Sequence, residues 1–302
     1  MKGRERRRRL KSIESSKKEF VLDRCSDADL STWKKIDARL TEFQIRIFYH
    51  FEALRATKRQ ELLDALQHVA PVDQNINGWA RVVTYQYSLM PLSSRGSITG
   101  IGGRFNYGQD LDVTTLPLFN ALYIASDVDT AYCEYFGKQR VNGLSGFELS
   151  LQDEDSFSTF MLEGQVVNLF DLTNTKNLNP FIDIAKNFVL ESELKAMATE
   201  LHIELPCQNC TASELKDYFM SSNWRYLPVQ FGIPFYSQVF GELLKTAGFD
   251  GVLYPSDKGD GQCIAIFVEN LENSDTHIHI KGNPPADTVN TILDSSTWKD
   301  LI

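Results

Sequence analysis

Long hydrophobic runs are missing from this sequence. No stretch approaches the roughly 18 consecutive apolar residues of a membrane-crossing helix, so none is expected. The N-terminus, Met1-Lys2-Gly3-Arg4-Glu5 followed by Arg6 to Arg9, carries the charge of a signal n-region. The apolar segment that should follow is absent, because Lys11, Glu14, Lys17 and Lys18 stand in its place. This speaks against the general secretory route and leaves dedicated export into another cell open. Cysteine is sparse and odd in number: Cys25, Cys133, Cys207, Cys210 and Cys263. That gives no disulfide framework and reads as a reducing, cytoplasmic site of action. Arginine is scarce in the greater part of the chain, with five between residues 71 and 302.

Several chemical signatures are missing too. Cys207-x-x-Cys210 has His202 upstream but no second pair, so it reads as two ordinary cysteines rather than a zinc site. His277-x-His279 places two rings on one face of a strand, with no third ligand, and reads as a surface pair. No metal site is expected. There is no Gly-x-Ser-x-Gly hydrolase elbow and no convincing catalytic histidine.

What is present is a globular chain of 302 residues with 42% apolar and 11% aromatic content, enough for one large domain or two modest ones. The net charge of -9 is uneven. Residues 1–70 hold 17 of 31 basic and 11 of 40 acidic side chains, a balance of +6, which leaves -15 for residues 71–302. An acidic body argues against a nucleic-acid-binding body. A polyanion contact through the basic head stays open.

Residues 1–18 read as a frayed helix or a disordered arm. Residues 27–70 read as helical, with Ser31 as a cap and Ile36, Leu40, Phe43, Ile47, Phe51 and Leu54 at spacings of three and four. A second helix covers Lys58 to Val69, and Gln74 to Gly78 reads as a linker or turn. Trp79 to Tyr87 reads as a strand, followed by a Ser/Gly-dense loop. Leu118 to Ala125 is a buried strand ending in Ser126, which with Asp129 caps a short helix to Phe136. Two or three strands are expected around Phe147–Leu151 and Gln165–Leu172. Residues 180–224 read as helical, with Ala185, Phe188, Val189, Leu194 and Met197 on one face. Gln238 to Ala247 is a helix closed by Gly248. Gly251–Tyr254 and Cys263–Val268 are strands around a polar turn. The tail after Glu269 shows no strong pattern.

Three segments carry candidate chemistry. Gly100 to Asn106 reads Gly-Ile-Gly-Gly-Arg-Phe-Asn. Its glycines let a ligand approach the backbone, and Arg104 can fork onto a phosphate. It lacks the strand–turn–helix context of a dinucleotide fingerprint, and a plain surface loop is the simpler reading of it alone. Glu134 follows a buried strand on a helix among aromatic neighbours. A desolvated carboxylate there suits oxocarbenium chemistry, whereas most helix glutamates are simply exposed. Ser256 ends a strand and opens the turn Asp257-Lys258-Gly259-Asp260-Gly261, where a hydroxyl orients a ligand or merely makes the turn.

Taken in order, four pieces resemble the RES domain family, named for its Arg, Glu and Ser. They are Trp79-Ala80-Arg81; Gly102-Gly103-Arg104-Phe105-Asn106; Leu122-Tyr123-Ile124-Ala125-Ser126 leading to Ala131 and Glu134; and Gly251-Val252-Leu253-Tyr254-Pro255-Ser256 with the strand Cys263 to Phe267. No single piece is specific; their order over residues 79–270 is. The chain departs from the family pattern in a long gap between Glu134 and Ser256, an extra loop from Gln109 to Pro117, and Val82 where some members have an aromatic.

The resemblance implies an α+β fold: an ADP-ribosyltransferase-like core with a mixed or antiparallel sheet. It implies a basic helical extension over 1–75, a catalytic domain over 76–270 with a helical insertion at about 175–235, and a tail over 271–302. It implies a toxin that degrades NAD+ by hydrolysis or phosphorolysis of the nicotinamide bond, with NAD+ as substrate and no cofactor. Glu134, Arg104 and Ser256 match its catalytic positions. Arg81, Tyr123, Asn106 and Gly103 match substrate-binding positions. Implied partners are NAD+, inorganic phosphate as a second substrate, and a neutralising antitoxin or immunity protein, with no membrane and nucleic acid only through the basic N-terminus. Two other readings stand: an ADP-ribosyltransferase acting on a macromolecule, and a non-catalytic nucleotide-binding module.

Overall fold

The computed structural model describes residues 26–111, 117–137, 156–203, 205 and 210–302. The arm at 1–18, Cys25, the strand expected at Phe147–Leu151, Cys207 and part of the loop from Gln109 to Pro117 lie outside the described residues. The fold is α+β with a mixed sheet, as the sequence implied.

Two helices lead, α1 (Asp27–Thr57) and α2 (Arg59–Gln67). The cap of α1 is Ser26, not Ser31: its side chain and that of Asp29 bond each other's backbone N–H reciprocally. Phe43, Ile47, Phe48 and Phe51 bury one stripe of α1, whereas Ile36, expected on it, is 52% exposed. The helix has simply run past the body at that end. The helical head docks on the rest of the chain. Arg46 makes a fork of two 2.7 Å bonds to Glu193, and Arg59 reaches the buried Glu242. The head's cations are thus spent in part on the body's carboxylates.

The sheet holds β1 (Val72–Asn75), β2 (Trp79–Thr84), β5 (Ala121–Ala125), β6 (Phe157–Asp171), β7 (Gly251–Pro255), β8 (Gln262–Phe267), β9 (His277–Ile280) and β10 (Ile292–Leu293); β3 (Gly102–Gly103) and β4 (Asn106–Tyr107) form a separate hairpin. β1 replaces the expected linker at Gln74 to Gly78: Gln74 and Asn75 pair with Val166 and Gln165. β6 covers the strand expected at Gln165–Leu172 but begins earlier, at Phe157. Its first half pairs antiparallel with β2 and its last three residues pair parallel with β7. The order β6-β2-β5-β8-β7 therefore returns to β6, and the sheet rolls around. It is weakest between β2 and β5, which pair only at Ala80 and Ala125. The segment after Glu269 is part of this sheet: β9 pairs with β6, and Trp298 and Leu301 are buried against it. Its pattern was too short and interrupted to show in sequence.

Strand alternation sorts side chains to two faces. Leu122, Ile124, Ile264 and Ile266 fill one core. Ala80, Ala121, Ala125 and Ala265 lie on the other, below α8 (Tyr236–Thr246) and the loop residues Phe105 and Phe119. Small residues on that second face leave room for a cavity. α3 (Val128–Phe136) follows β5 and is capped by Asp127, which accepts from Thr130 N at 2.7 Å; Ser126 serves a different bond, to Gln262 N. Between β6 and α8 run α4 (Asn179–Ala185), α5 (Ser192–Glu200), α6 (Ala212–Phe219) and α7 (Tyr226–Phe231). Because α4 ends at Ala185, Val189 leaves the expected apolar face and is 72% exposed. Cys210 is disulfide-bonded, contrary to the reading of an ordinary cysteine. Gly248 follows α8 at φ +97°, the left-handed stop expected of it.

Candidate active site

A cavity of about 250 Å³ opens where β2 and β5 separate. Arg81, Gly103, Arg104, Tyr123 and Glu134 all border it. Ser256 stands just behind Glu134, and Asn106 lies fully buried beneath the wall.

Glu134 projects from α3, and the turn after β7 carries Ser256. Their register is set by a polar lattice between the two. Gly261 N donates to Thr130 Oγ1 at 3.1 Å, Gln262 N to Ser126 Oγ at 3.0 Å, and Thr130 Oγ1 to Asp127 at 2.7 Å. Ser256 Oγ then accepts from Lys258 N and Gly259 N. With its lone pairs engaged, its proton points at Glu134 Oε1, 2.6 Å away. Burial pushes the Glu134 carboxyl above its ordinary 4.5, and Asp257 pushes the same way. The Ser256 bond opposes them, as do Arg104 and Lys258.

The Gly-Gly-Arg loop is clamped from above and below. Tyr123 Oη donates to Asn106 Oδ1 at 2.7 Å and accepts from Phe105 N at 3.0 Å. A Cβ on Gly103 would collide with the Tyr123 ring and hydroxyl, so glycine is what lets the tyrosine seat there. Asn106 also donates to Ser97 O and Phe119 O. It is a brace with every polar atom engaged, not a wall of the cavity. Burial raises the Tyr123 phenol well above its ordinary value, so it stays protonated. From α8, Ser237 Oγ donates to Arg104 O and Gln238 Nε2 to Gly103 O, each at 2.8 Å.

The two expected arginines are held differently. Arg81 donates Nε to Pro91 O at 2.8 Å, Nη1 to Tyr123 O at 2.7 Å and Nη2 to Ser93 O at 3.2 Å. It has no carboxylate partner among the described residues, and burial pulls it down to about 10. It bridges the seam between β2 and β5. Arg104 is buried, with Nη1 on Phe219 O and Ser221 O and Nη2 on Asp257 Oδ2 at 2.7 Å. Lys258 pairs with the same Asp257 oxygen at 3.2 Å.

Sequence reasoning missed Trp224, Arg225, Asp257 and Lys258 as cavity residues. Asp257 and Lys258 adjoin Ser256 and could have been found from it. Trp224 and Arg225 come from between α6 and α7, and only the scarcity of arginine marked the latter. Gln238 reads in the sequence only as the start of a helix, with no sign of its bonds to the carbonyls of Ile101, Gly103 and Asn106. Among the described residues no cluster of three or more His, Cys, Asp or Glu could hold a metal. His277 and His279 sit on the surface of β9 with ring centres 5.7 Å apart. No helix among the described residues is long and apolar enough to cross a membrane.

Fold and site together define a rolled mixed sheet whose open seam holds a desolvated carboxylate amid guanidinium groups. The RES domain family model matches residues 79–282, and the chain belongs to that family. No curated protein matches the chain. A similar solved structure is described as the crystal structure of the M. tuberculosis MbcT–MbcA toxin–antitoxin complex. It shares 13% identity, with 80% of this chain and 96% of that one covered, at a TM-score of 0.36.

Proposed function

We propose that this protein cleaves the N-glycosidic bond between nicotinamide and ribose in NAD+, and acts as a toxin by depleting it. The observation that carries this reading is the Ser256–Glu134 pair, whose carboxylate borders the cavity. Breaking that bond builds positive charge on the ribose, and a fixed carboxylate stabilises it in a dry site more than in water. Glu134 takes that role. Ser256 acts through it, aiming and partly stabilising the ionised form. Nicotinamide departs as a neutral molecule, so no general acid is required.

The surrounding groups suit a nucleotide diphosphate. Among the described residues, Arg81, Arg104, Arg225 and Lys258 face Glu134 and Asp257, two more cations than carboxylates. That excess complements a dianionic pyrophosphate. Tyr123, locked by Asn106, offers a fixed ring against the nicotinamide ribose. Family membership supports a neutralising protein partner, one that closes the cavity.

The acceptor decides between hydrolysis, phosphorolysis and transfer. NAD+ labelled in its adenylate half, incubated with and without inorganic phosphate, separates them. Free labelled ADP-ribose means hydrolysis, its phosphate ester means phosphorolysis, and label on a macromolecule means transfer. Intact NAD+ in every condition would overturn the proposal.

A further inference from the structure

Of the four described cations that border the cavity, three are already occupied. Arg81 has each guanidinium nitrogen on a backbone carbonyl. Arg104 is divided between two carbonyls and Asp257, and Lys258 shares that carboxylate. Arg225 differs. Among the described residues its guanidinium makes no hydrogen bond and no ion pair, and it lies on the face of Trp224 with Cζ 4.4 Å from the ring centre. The residue is exposed at the cavity rim, open to an incoming ligand.

Its position is nonetheless fixed. Trp224 is only 3% exposed, so the indole is a rigid shelf. Arg104 Cζ also lies 5.8 Å from that ring. Arg104 further grips Phe219 O and Ser221 O, in the segment just before Trp224. The two arginines thus share one indole, with the inner one tying down the loop that presents the outer one. A guanidinium stacked on an aromatic face keeps its edge N–H groups free for an anion. Partial desolvation, and then the nearby Arg104 charge, lower the pKa of Arg225; the charge of a bound anion would offset both.

From this placement we infer that Arg225, held on Trp224, is the residue that binds the substrate's diphosphate at the cavity mouth. This rests on the dinucleotide reading above. It assigns the helical segment between β6 and α8 a part in substrate selection: the segment supplies the free anion-binding fork, while α3, packed on the sheet, supplies the carboxylate. The diphosphate at the rim leaves the ribose to reach inward to Glu134. Arg104 then acts as a positioning residue for Arg225 as well as a neighbour of Glu134.

The test separates this inference from the NAD+ reading. Binding of ADP and of adenosine is measured by calorimetry in Glu134→Gln protein, with and without Arg225→Ala or Arg225→Lys. Arg225→Ala should weaken ADP at least tenfold and leave adenosine unchanged, and Arg225→Lys should recover part of the loss. In the otherwise unmodified protein, Arg225→Ala should raise KM for NAD+ at least tenfold with kcat within threefold. It should spare cleavage of nicotinamide riboside, which has no phosphate. Equal ADP affinity with and without Arg225, or a parallel loss of ADP and adenosine, overturns the assignment. NAD+ left intact by the unmodified protein while ADP binding still depends on Arg225 overturns the reaction and keeps the anchor. NAD+ consumed with a KM indifferent to Arg225→Ala does the reverse.

Discussion

The cavity has two walls built on opposite principles. On the sheet wall, taken with α3 packed against it, the named polar groups are already engaged: Arg81 by three carbonyls, Tyr123 by Asn106 and a backbone N–H, Glu134 by Ser256. On the helical wall Trp224 is buried but Arg225 is left open. Engaged groups fix a geometry and a dielectric, and cost stability when removed. Open groups cost little to the fold and belong to the ligand. Substitutions on the first wall should therefore change stability or the chemical step, and those on the second should change affinity.

Glu134→Gln is the sharpest way to isolate the chemical step. Turnover should fall by about 10³-fold, the range for a lost catalytic carboxylate. The melting temperature should hold or rise, because a desolvated carboxylate destabilises the native state once ionised. A drop of many degrees would mean that Glu134 is structural.

Arg81→Met should act on the fold. It leaves three carbonyls at the β2–β5 seam without their donor, a loss of about 3 kcal/mol at roughly 1 kcal/mol each. Urea unfolding measures it. A variant as stable as the parent but unable to bind nucleotide would move Arg81 to the ligand side of the comparison. Away from the cavity, Arg59→Ala strands the buried Glu242 and should cost about 2 kcal/mol, below the usual cost for a fully buried pair because Arg59 is partly exposed. Unchanged unfolding would mean that the helical head is not held by this contact.

Two substitutions should shift the pH profile in opposite directions. Glu134 works ionised and its pKa is raised, so activity is lost as pH falls through a value above 4.5. Ser256→Ala removes a bond that favours the ionised form. The acid limb of kcat/KM should move to higher pH, with kcat down about tenfold. Asp257→Asn removes a like charge, and the limb should move to lower pH by a smaller amount. Shifts in the same direction would contradict the assignment of Glu134 as the group that titrates.

The sheet wall was largely legible in the sequence and the helical wall was not. Glu134, Arg104, Tyr123 and Ser256 sit in short segments whose local chemistry is recognisable, and their order along the chain carries the rest. What those segments do to one another was less visible. Asn106 reads as a ligand contact until the fold shows its amide spent on Ser97, Phe119 and Tyr123. Arg104 reads as a phosphate fork until Asp257 is seen to occupy it. Arg225 lies far along the chain from Arg81 and Arg104, in a stretch where period alone gives only helices. The head, residues 1–70, reads as an appendage because it lies outside the span of the four recognisable segments. Its helices nevertheless join the body through Arg46 to Glu193 and Arg59 to Glu242.

On the proposed mechanism, nicotinamide leaves NAD+ only while the Glu134 carboxylate stands by the ribose. Release of free nicotinamide from NAD+ by the purified protein, beside the Glu134→Gln variant at matched fold and concentration, tests it most directly. The parent should release it in step with loss of NAD+, and the variant almost none. Release at the same rate by both, or none by the parent, would contradict it.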